Sequence, residues 1–217
     1  MITIAEFTCV CHTETFILTN QRALFWDKEK ALVLSDLHVG KAATFRKHGI
    51  PISKAVLEDD LERLKKLILH FKAEKLIIVG DLFHAEHNSD IDYFEDWLAS
   101  FENLKVELIL GNHDKLQTEL YTRMHLGVFQ PKKDTDNLSF IHDAVAKNTK
   151  QFTVSGHTHP GVLIKGKAKQ RFKLPCYQIT EQQLILPAFS LFTGLNVANA
   201  PKNCKQIAFT DNLIFEV

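Results

Sequence analysis

Five short segments of this 217-residue chain gather residue types that hold metal ions. They are Asp36-Leu37-His38, Gly80-Asp81, Gly111-Asn112-His113-Asp114, His142 and Gly156-His157-Thr158-His159. Carboxylate and amide oxygens come from Asp36, Asp81 and Asn112; imidazole nitrogens come from His38, His142, His157 and His159. That is more donors than one tetrahedral zinc site takes, and no thiolate is among them. The set fits two divalent transition-metal ions sharing a bridging carboxylate. Two metals roughly 3.5–4 Å apart are a recurring solution for in-line displacement at phosphorus, because they activate water near neutral pH and offset charge on the phosphoryl oxygens. His113 is left over from the ligand set and could protonate a leaving oxygen, with Asp114 beside it to orient the imidazole. The donors suit Mn2+, Fe2+, Ni2+ or Zn2+, and we take Mn2+ as the leading choice.

Taken singly, each segment is weak. A lone histidine beside an apolar run is ordinarily structural, and a Gly-Asp or Gly-Asn pair is first of all a turn. The ordered set says more, because each segment directly follows an apolar run. Ala31-Leu32-Val33-Leu34, Leu76-Ile77-Ile78-Val79 and Val106 to Leu110 predict short strands buried on both faces. Between them lie helical patterns. Val56, Leu57, Leu61, Leu64, Leu67, Ile68 and Phe71 recur at spacings of three and four, with Ser53 as N-cap after Pro51. A second helix is expected over Ile91 to Phe101 and a third over Leu116 to Met124. Thr15-Phe16-Ile17-Leu18 and Ala23-Leu24-Phe25-Trp26 read as strands, as do Leu138 to His142, Phe152 to Ser155 and later runs up to Leu213-Ile214-Phe215. The expectation is one domain over 1–217, a layered α/β sandwich with parallel pairing early and antiparallel pairing late. Parallel strands bring their ends to a common edge, where open α/β sheets place their ligands. In extended chain, residues i and i+2 point the same way, so Asp36 with His38, and His157 with His159, would each present two ligands in one direction. Gly80, Gly111 and Gly156 mark places for a tight turn or a close backbone approach.

Composition narrows the class. Hydrophobic residues are 45% and charged residues 24%, the balance of a globular protein rather than a disordered one. Lys+Arg is 26 and Asp+Glu is 26, so the formal charge is zero; this disfavours a whole-surface polyanion binder and leaves room for a local basic patch. Cys9, Cys11, Cys176 and Cys204 form no C-x-x-C pair, which argues against a zinc ribbon or a thioredoxin-type redox site. With no secretory pattern and no apolar run near the ~20 residues that span a bilayer, a reduced, cytoplasmic protein without a membrane role is the expectation.

The five segments match the D-x-H, G-D, G-N-H-[DE], H and G-H-x-H pattern of the calcineurin-like metallophosphoesterases, which the chain resembles from about Ala31 to His159. The resemblance implies a four-layer αββα sandwich with mixed sheets. It implies that Asp36, His38, Asp81 and His159 hold one metal, that Asp81, Asn112, His142 and His157 hold the other, and that His113 is the catalytic histidine. A narrower resemblance rests on Arg22 to Trp26, Asp36 to Arg46 with Gly49-Ile50-Pro51, Gly80 to His84, His159-Pro160, and Leu186 to Phe189 with Phe192-Thr193-Gly194. These are similar to the bacterial DNA ligase-associated metallophosphoesterases. That likeness implies a DNA-processing nuclease working in association with a DNA ligase and a helicase. Ser190 stands where a Gly is expected and Ser53 where a second Pro is expected; neither touches the metal set.

Several groups could read a substrate. Lys41 and Arg46 could bind phosphate oxygens, and His84 could line the rim of the site. Phe83, Phe189 and Phe192 adjoin the polar motifs and are the aromatic candidates for a substrate wall. Lys165, Lys167, Lys169, Arg171 and Lys173 fall on every second residue. In one extended stretch they would form a basic ladder for a nucleic-acid backbone; the plainer alternative is a solvated hairpin turning at Gly166, or an edge strand guarded by lysines. The overall expectation is a phosphodiester hydrolase acting on DNA. Its rivals are a small-molecule phosphodiesterase or phosphatase acting on nucleotides, and a non-enzymatic scaffold, which should have lost ligands that are all present here.

Overall fold

The computed structural model describes residues 2–84, 86–143, 151–166, 169–198 and 200–217. A seven-stranded sheet runs in chain order: β1 (Glu6–Cys11), β2 (Glu14–Thr19), β3 (Leu24–Trp26), β4 (Ala31–Leu34), β5 (Lys75–Val79), β6 (Lys105–Ile109) and β7 (Gly127–Phe129). The first four strands pair antiparallel and the last four parallel. Helices α1 (Lys41–Lys47), α2 (Ala55–Phe71), α3 (Ser89–Ala99) and α4 (Thr118–Arg123) fall in the connections from β4 onward. A second, eight-stranded sheet has the order β15 (Ile214–Glu216), β14 (Lys205–Phe209), β12 (Arg171–Ile179), β13 (Gln183–Ile185), β10 (Phe152–Ser155), β9 (Leu138–Ile141), β8 (Lys132–Asp134), with β11 (Gly161–Lys165) paired to β12.

Two cores follow from strand alternation. Leu32, Leu34, Leu76, Ile78, Val106 and Leu108 face the helices and pack with Leu57, Leu61, Leu64 and Leu67 of α2 and with Ile91, Phe94 and Leu98 of α3. Ala31, Val33, Ile77, Val79 and Ile109 face the other way, onto Phe140, Val154, Tyr177, Leu184 and Phe209 of the second sheet. Strands β4, β5 and β6 are mostly apolar because both faces are covered; the exception inside them is the buried Glu107 of β6, paired with Lys105 and Lys133. The α/β sandwich with mixed sheets is thus as expected; among the described residues the helical covering lies on the first sheet, and a small cluster of Val162, Cys176 and Ala208 packs elsewhere on the second. None of the described helices is long and apolar enough to cross a membrane.

Register sets the site. Leu34 lies beside Ile78, and Ile78 beside Leu108, so the segments that follow β4, β5 and β6 leave the sheet at one edge. In the second sheet Val154 lies beside both Phe140 and Leu184, which delivers His142, Gly156 and Leu186 to the matching edge.

Two local expectations need correcting, one helix was unforeseen, and the alternatives left open for residues 165–173 resolve to the hairpin turning at Gly166. The second sheet is not wholly antiparallel: β10 runs parallel to both β9 and β13, in keeping with its four fully buried residues. Helix α1 was not anticipated, because its start is a Gly40 in the left-handed region (φ +91°) without a side-chain cap. The basic residues from Lys165 to Lys173 do not run one way. Gly166 N–H donates to the Gln170 carbonyl (2.9 Å) and Lys165 pairs with Arg171, so the stretch is the tip of the β11–β12 hairpin; Lys167 lies outside the described residues. Ser53 is not the N-cap of α2: Lys54 holds that place without a side-chain cap, and the Ser53 Oγ accepts from the Ala55 N–H at 3.2 Å just before the helix.

Candidate metal centre

Beyond their strands, the first-sheet segments stay in step through backbone hydrogen bonds. Asp36 N–H donates to the Gly80 carbonyl (3.0 Å), His38 N–H to that of Asp81 (3.0 Å) and Val39 N–H to that of Leu82 (2.8 Å). The sheets are tied at this edge: Phe189 N–H donates to the Ser35 carbonyl (2.8 Å), and Asp36 Oδ2 accepts from the His157 N–H (3.1 Å). The approach is close enough to demand glycine. A Cβ on Gly80 would lie 2.0 Å from His142 Nδ1, and one on Gly156 would lie 2.5 Å from Ser35 Cβ.

The ligand residues are not extended. Asp36, His38, Asp81, His157 and His159 have φ of +56°, +52°, +51°, +66° and +49°. Non-glycine residues hold such angles at a cost of order 1–3 kcal/mol each, and they concentrate at functional sites. The i, i+2 reading therefore fails for the second pair. Asp36 and His38 converge with His159, whereas His157 turns to join Asp81 and His142. Within each triad the potential ligand atoms lie within 4.8 Å of one another.

The residues present fit a pair of cations. Asp36 Oδ1, His38 Nδ1 and His159 Nε2 are buried without a hydrogen-bond partner, though Asp36 Oδ1 and His159 Nε2 stand only 3.3 Å apart. Unpaired buried polar atoms cost about 1–3 kcal/mol each, which a shared ion would offset. In the other triad His142 Nε2 stands 3.3 Å from Asp81 Oδ2, 3.1 Å from Asn112 Oδ1 and 3.2 Å from His157 Nδ1. His142 Nδ1 lies 3.0 Å from the Val79 carbonyl. That bond assigns a proton to Nδ1 and leaves Nε2 facing the cluster, a lone pair for a metal once its own proton is released.

Burial and the carboxylates pull in opposite directions at this site. Burial holds His38 down to about 4, so its imidazole is neutral and able to ligate. Burial pushes the Asp81 carboxyl up, but the adjoining His142 and the His113 N–H outweigh it and bring Asp81 to about 2. Burial pulls His142 down, yet Asp81 and Asp36 raise it to about 9. The same carboxylates that hold a proton on His142 would draw in a divalent ion.

His113 is half-buried beside this centre, its ring stacked on His84 (centroids 5.1 Å apart, 19° between planes) and edge-on to His38 at 5.6 Å. Asp114 does not orient it. Both Asp114 oxygens are taken by backbone: Oδ1 accepts from Phe83 N–H (2.8 Å) and Oδ2 from Gly111 N–H (2.9 Å). Burial raises this carboxyl to about 6 against those two bonds. Its task is to tie the segments after β5 and β6 together.

The substrate-reading candidates divide. Lys41 is half-buried and its pKa is lowered by burial, with Asp36 opposing; its ammonium lies 5.5 Å from the Phe192 ring centroid. His84, its pKa also lowered by burial, joins His113. Arg46 is not a free cation: it pairs with Asp90 at 2.6 Å, and Asp90 also accepts from the Ala43 N–H. Phe83 and Phe189 are fully buried core residues and cannot be a substrate wall, which leaves Phe192, packed on Phe45.

One supporting group escaped the sequence reading. Arg63 donates to Asp60 (2.9 Å) and to the Phe189 carbonyl, stacks on the Phe189 ring, and Arg22 donates to the Ala188 carbonyl (2.9 Å). Together they hold the 188–191 segment, whose N–H groups bond Ser35 and Asp36. The signal was present: Asp60 lies three residues after Leu57 and four before Leu64, a charge inside the apolar stripe of α2.

A mixed-sheet sandwich with two His/Asp triads at one sheet edge defines a metal-dependent phosphoesterase. Residues 30–178 match the calcineurin-like phosphoesterase family, and the chain belongs to it; it is a hydrolase. Among solved structures, a nuclease of Pseudomonas putida is 27% identical over 98% of this chain and 100% of its own, with a TM-score of 0.83. An E. coli phosphoesterase, YfcE, is 18% identical over 86% of this chain and 97% of its own, with a TM-score of 0.47. An Aquifex aeolicus protein, AQ665, is 17% identical over 59% of this chain and 78% of its own, with a TM-score of 0.44. No curated protein matches the chain.

Proposed function

We propose that this chain is a two-metal phosphodiesterase that cuts DNA, of the DNA ligase-associated subgroup, using Mn2+. The observation that carries the reading is the pair of triads within a chain that aligns end to end with a nuclease. The ions supply activation of water and neutralisation of phosphoryl charge. Asp36, His38 and His159 would hold one and Asn112, His142 and His157 the other, with Asp81 serving both. His113 donates the proton to the leaving oxygen, with His84 stacked behind it fixing the ring. Lys41 would bind phosphate oxygens, and His84 lines the rim. In this reading the chain works as one domain, in the reduced cytoplasm, beside a ligase and a helicase.

Metal analysis of the purified protein, with activity on single-stranded DNA, a cyclic nucleotide and an aryl phosphodiester under matched Mn2+, tests it. Two ions per chain with cleavage of DNA and the aryl diester is the expected result. Turnover of the cyclic nucleotide with DNA left intact favours the small-molecule alternative, which the zero net charge supports.

A further inference from the structure

A cleft of about 880 Å³ adjoins the metal centre between α1, the start of α2 and the segment after β5. His84 and His113 line it, and both rings stand against His38. Lys47, Lys54 and Lys115, from three separate stretches of the sequence, line it as well. All three are exposed, and none makes an ion pair or a side-chain hydrogen bond with another described residue. Arg46 shares the lining, but Asp90 matches its charge. Glu86 is the single carboxylate among the lining residues. A chain with no net charge thus concentrates unmatched ammonium groups beside its reacting centre. The β11–β12 hairpin also carries exposed cations, Lys165, Arg171 and Lys173, but neither it nor its neighbours line this cleft.

We propose that this cleft holds the phosphates next to the scissile one, with Lys47, Lys54 and Lys115 as their contacts. The substrate is then an oligonucleotide or longer, not a mononucleotide. This deepens the phosphodiesterase reading and rests on it. Volumes of about 300–1,000 Å³ enclose a drug-sized ligand, so the cleft has room for a short run of nucleotides. Lysine suits the task because a mobile point charge follows a flexible backbone without reading its sequence.

The test compares K47Q/K54Q/K115Q with K165Q/R171Q/K173Q and with unaltered protein. Three things are measured: kcat/KM on a DNA oligonucleotide, kcat/KM on an aryl phosphodiester, and anisotropy of a labelled oligonucleotide across salt concentrations. For the cleft variant, the ratio of DNA to aryl-diester kcat/KM should fall on the order of tenfold, mostly through KM. Its salt dependence should flatten by about two, since each single-strand phosphate contact contributes about 0.7 to the slope. The hairpin variant should keep both. An unchanged ratio and slope in the cleft variant overturns the proposal, as does a loss confined to the hairpin variant. Equal losses on both substrates also overturn it, because the lysines would then serve the centre rather than flanking phosphates. If unaltered protein binds the oligonucleotide through these lysines but does not cut it, the cleft stands and the nuclease reading falls.

Discussion

The two triads contrast in how they are satisfied without a cation. The Asp36–His38–His159 triad leaves three polar atoms buried without partners. The Asp81–His142–His157 triad, joined by Asn112, can hold itself together with a proton on His142. Both draw on strained residues at a sheet edge. Each triad has a carboxylate 3.3 Å from an imidazole, but only in the second does the imidazole also meet an amide oxygen and a second histidine. Their metal affinities should therefore respond differently to pH and to mutation.

The largest effect should come from Asp81, the ligand assigned to both. Asp81→Ala should remove both ions and lower phosphodiester turnover by about a thousandfold or more, as loss of a two-metal centre implies; elemental analysis showing one retained ion would place the bridge elsewhere. Next comes His113→Ala, which should keep both ions while kcat falls about 10²–10⁴-fold, the usual range for a general acid. Full turnover in that variant would take the proton donor away from His113.

Arg63→Met separates the triads. It leaves Asp60 buried without its partner, a change worth about 3–5 kcal/mol of stability, and loosens the segment bonded to Ser35 and Asp36. Thermal melts should show the loss, and calorimetric metal titration should weaken the Asp36 site more than the Asp81 site. Equal weakening would mean the 188–191 segment supports the whole edge. The smallest effect is the pH response. With its pKa raised to about 9, His142 is protonated near neutrality and must release that proton to bind metal. Affinity at the Asp81 site should rise about tenfold per pH unit between roughly 7 and 9 and then level off. His38, held down to about 4, has no proton to lose in that window and adds no such slope to the Asp36 site. Parallel slopes for both sites in metal titrations would erase the contrast.

The metal-binding segments could be seen in the sequence because each sits at the end of a short apolar run, and parallel register carries those ends to one edge. The pairing of His157 with Asp81 rather than with His159 could not be seen from strand periodicity, since both histidines leave the extended region. Asp114 illustrates a second limit. Adjacency to His113 suggested a side-chain partner, but a buried carboxylate goes first to unmatched backbone N–H groups, and those came from distant Phe83 and neighbouring Gly111. Arg46 was a cation in sequence and half of an ion pair in space, because Asp90 lies 44 residues away. Lys54 carried no local mark and Lys115 only its place after Asp114; the fold brings both into one cleft with Lys47.

Anomalous diffraction from crystals grown with Mn2+ tests the central claim most directly. The account predicts two peaks, one within the Asp36–His38–His159 triad and one within the Asp81–His142–His157 triad, with Asp81 between them. A single peak, or manganese bound away from both triads, would contradict it.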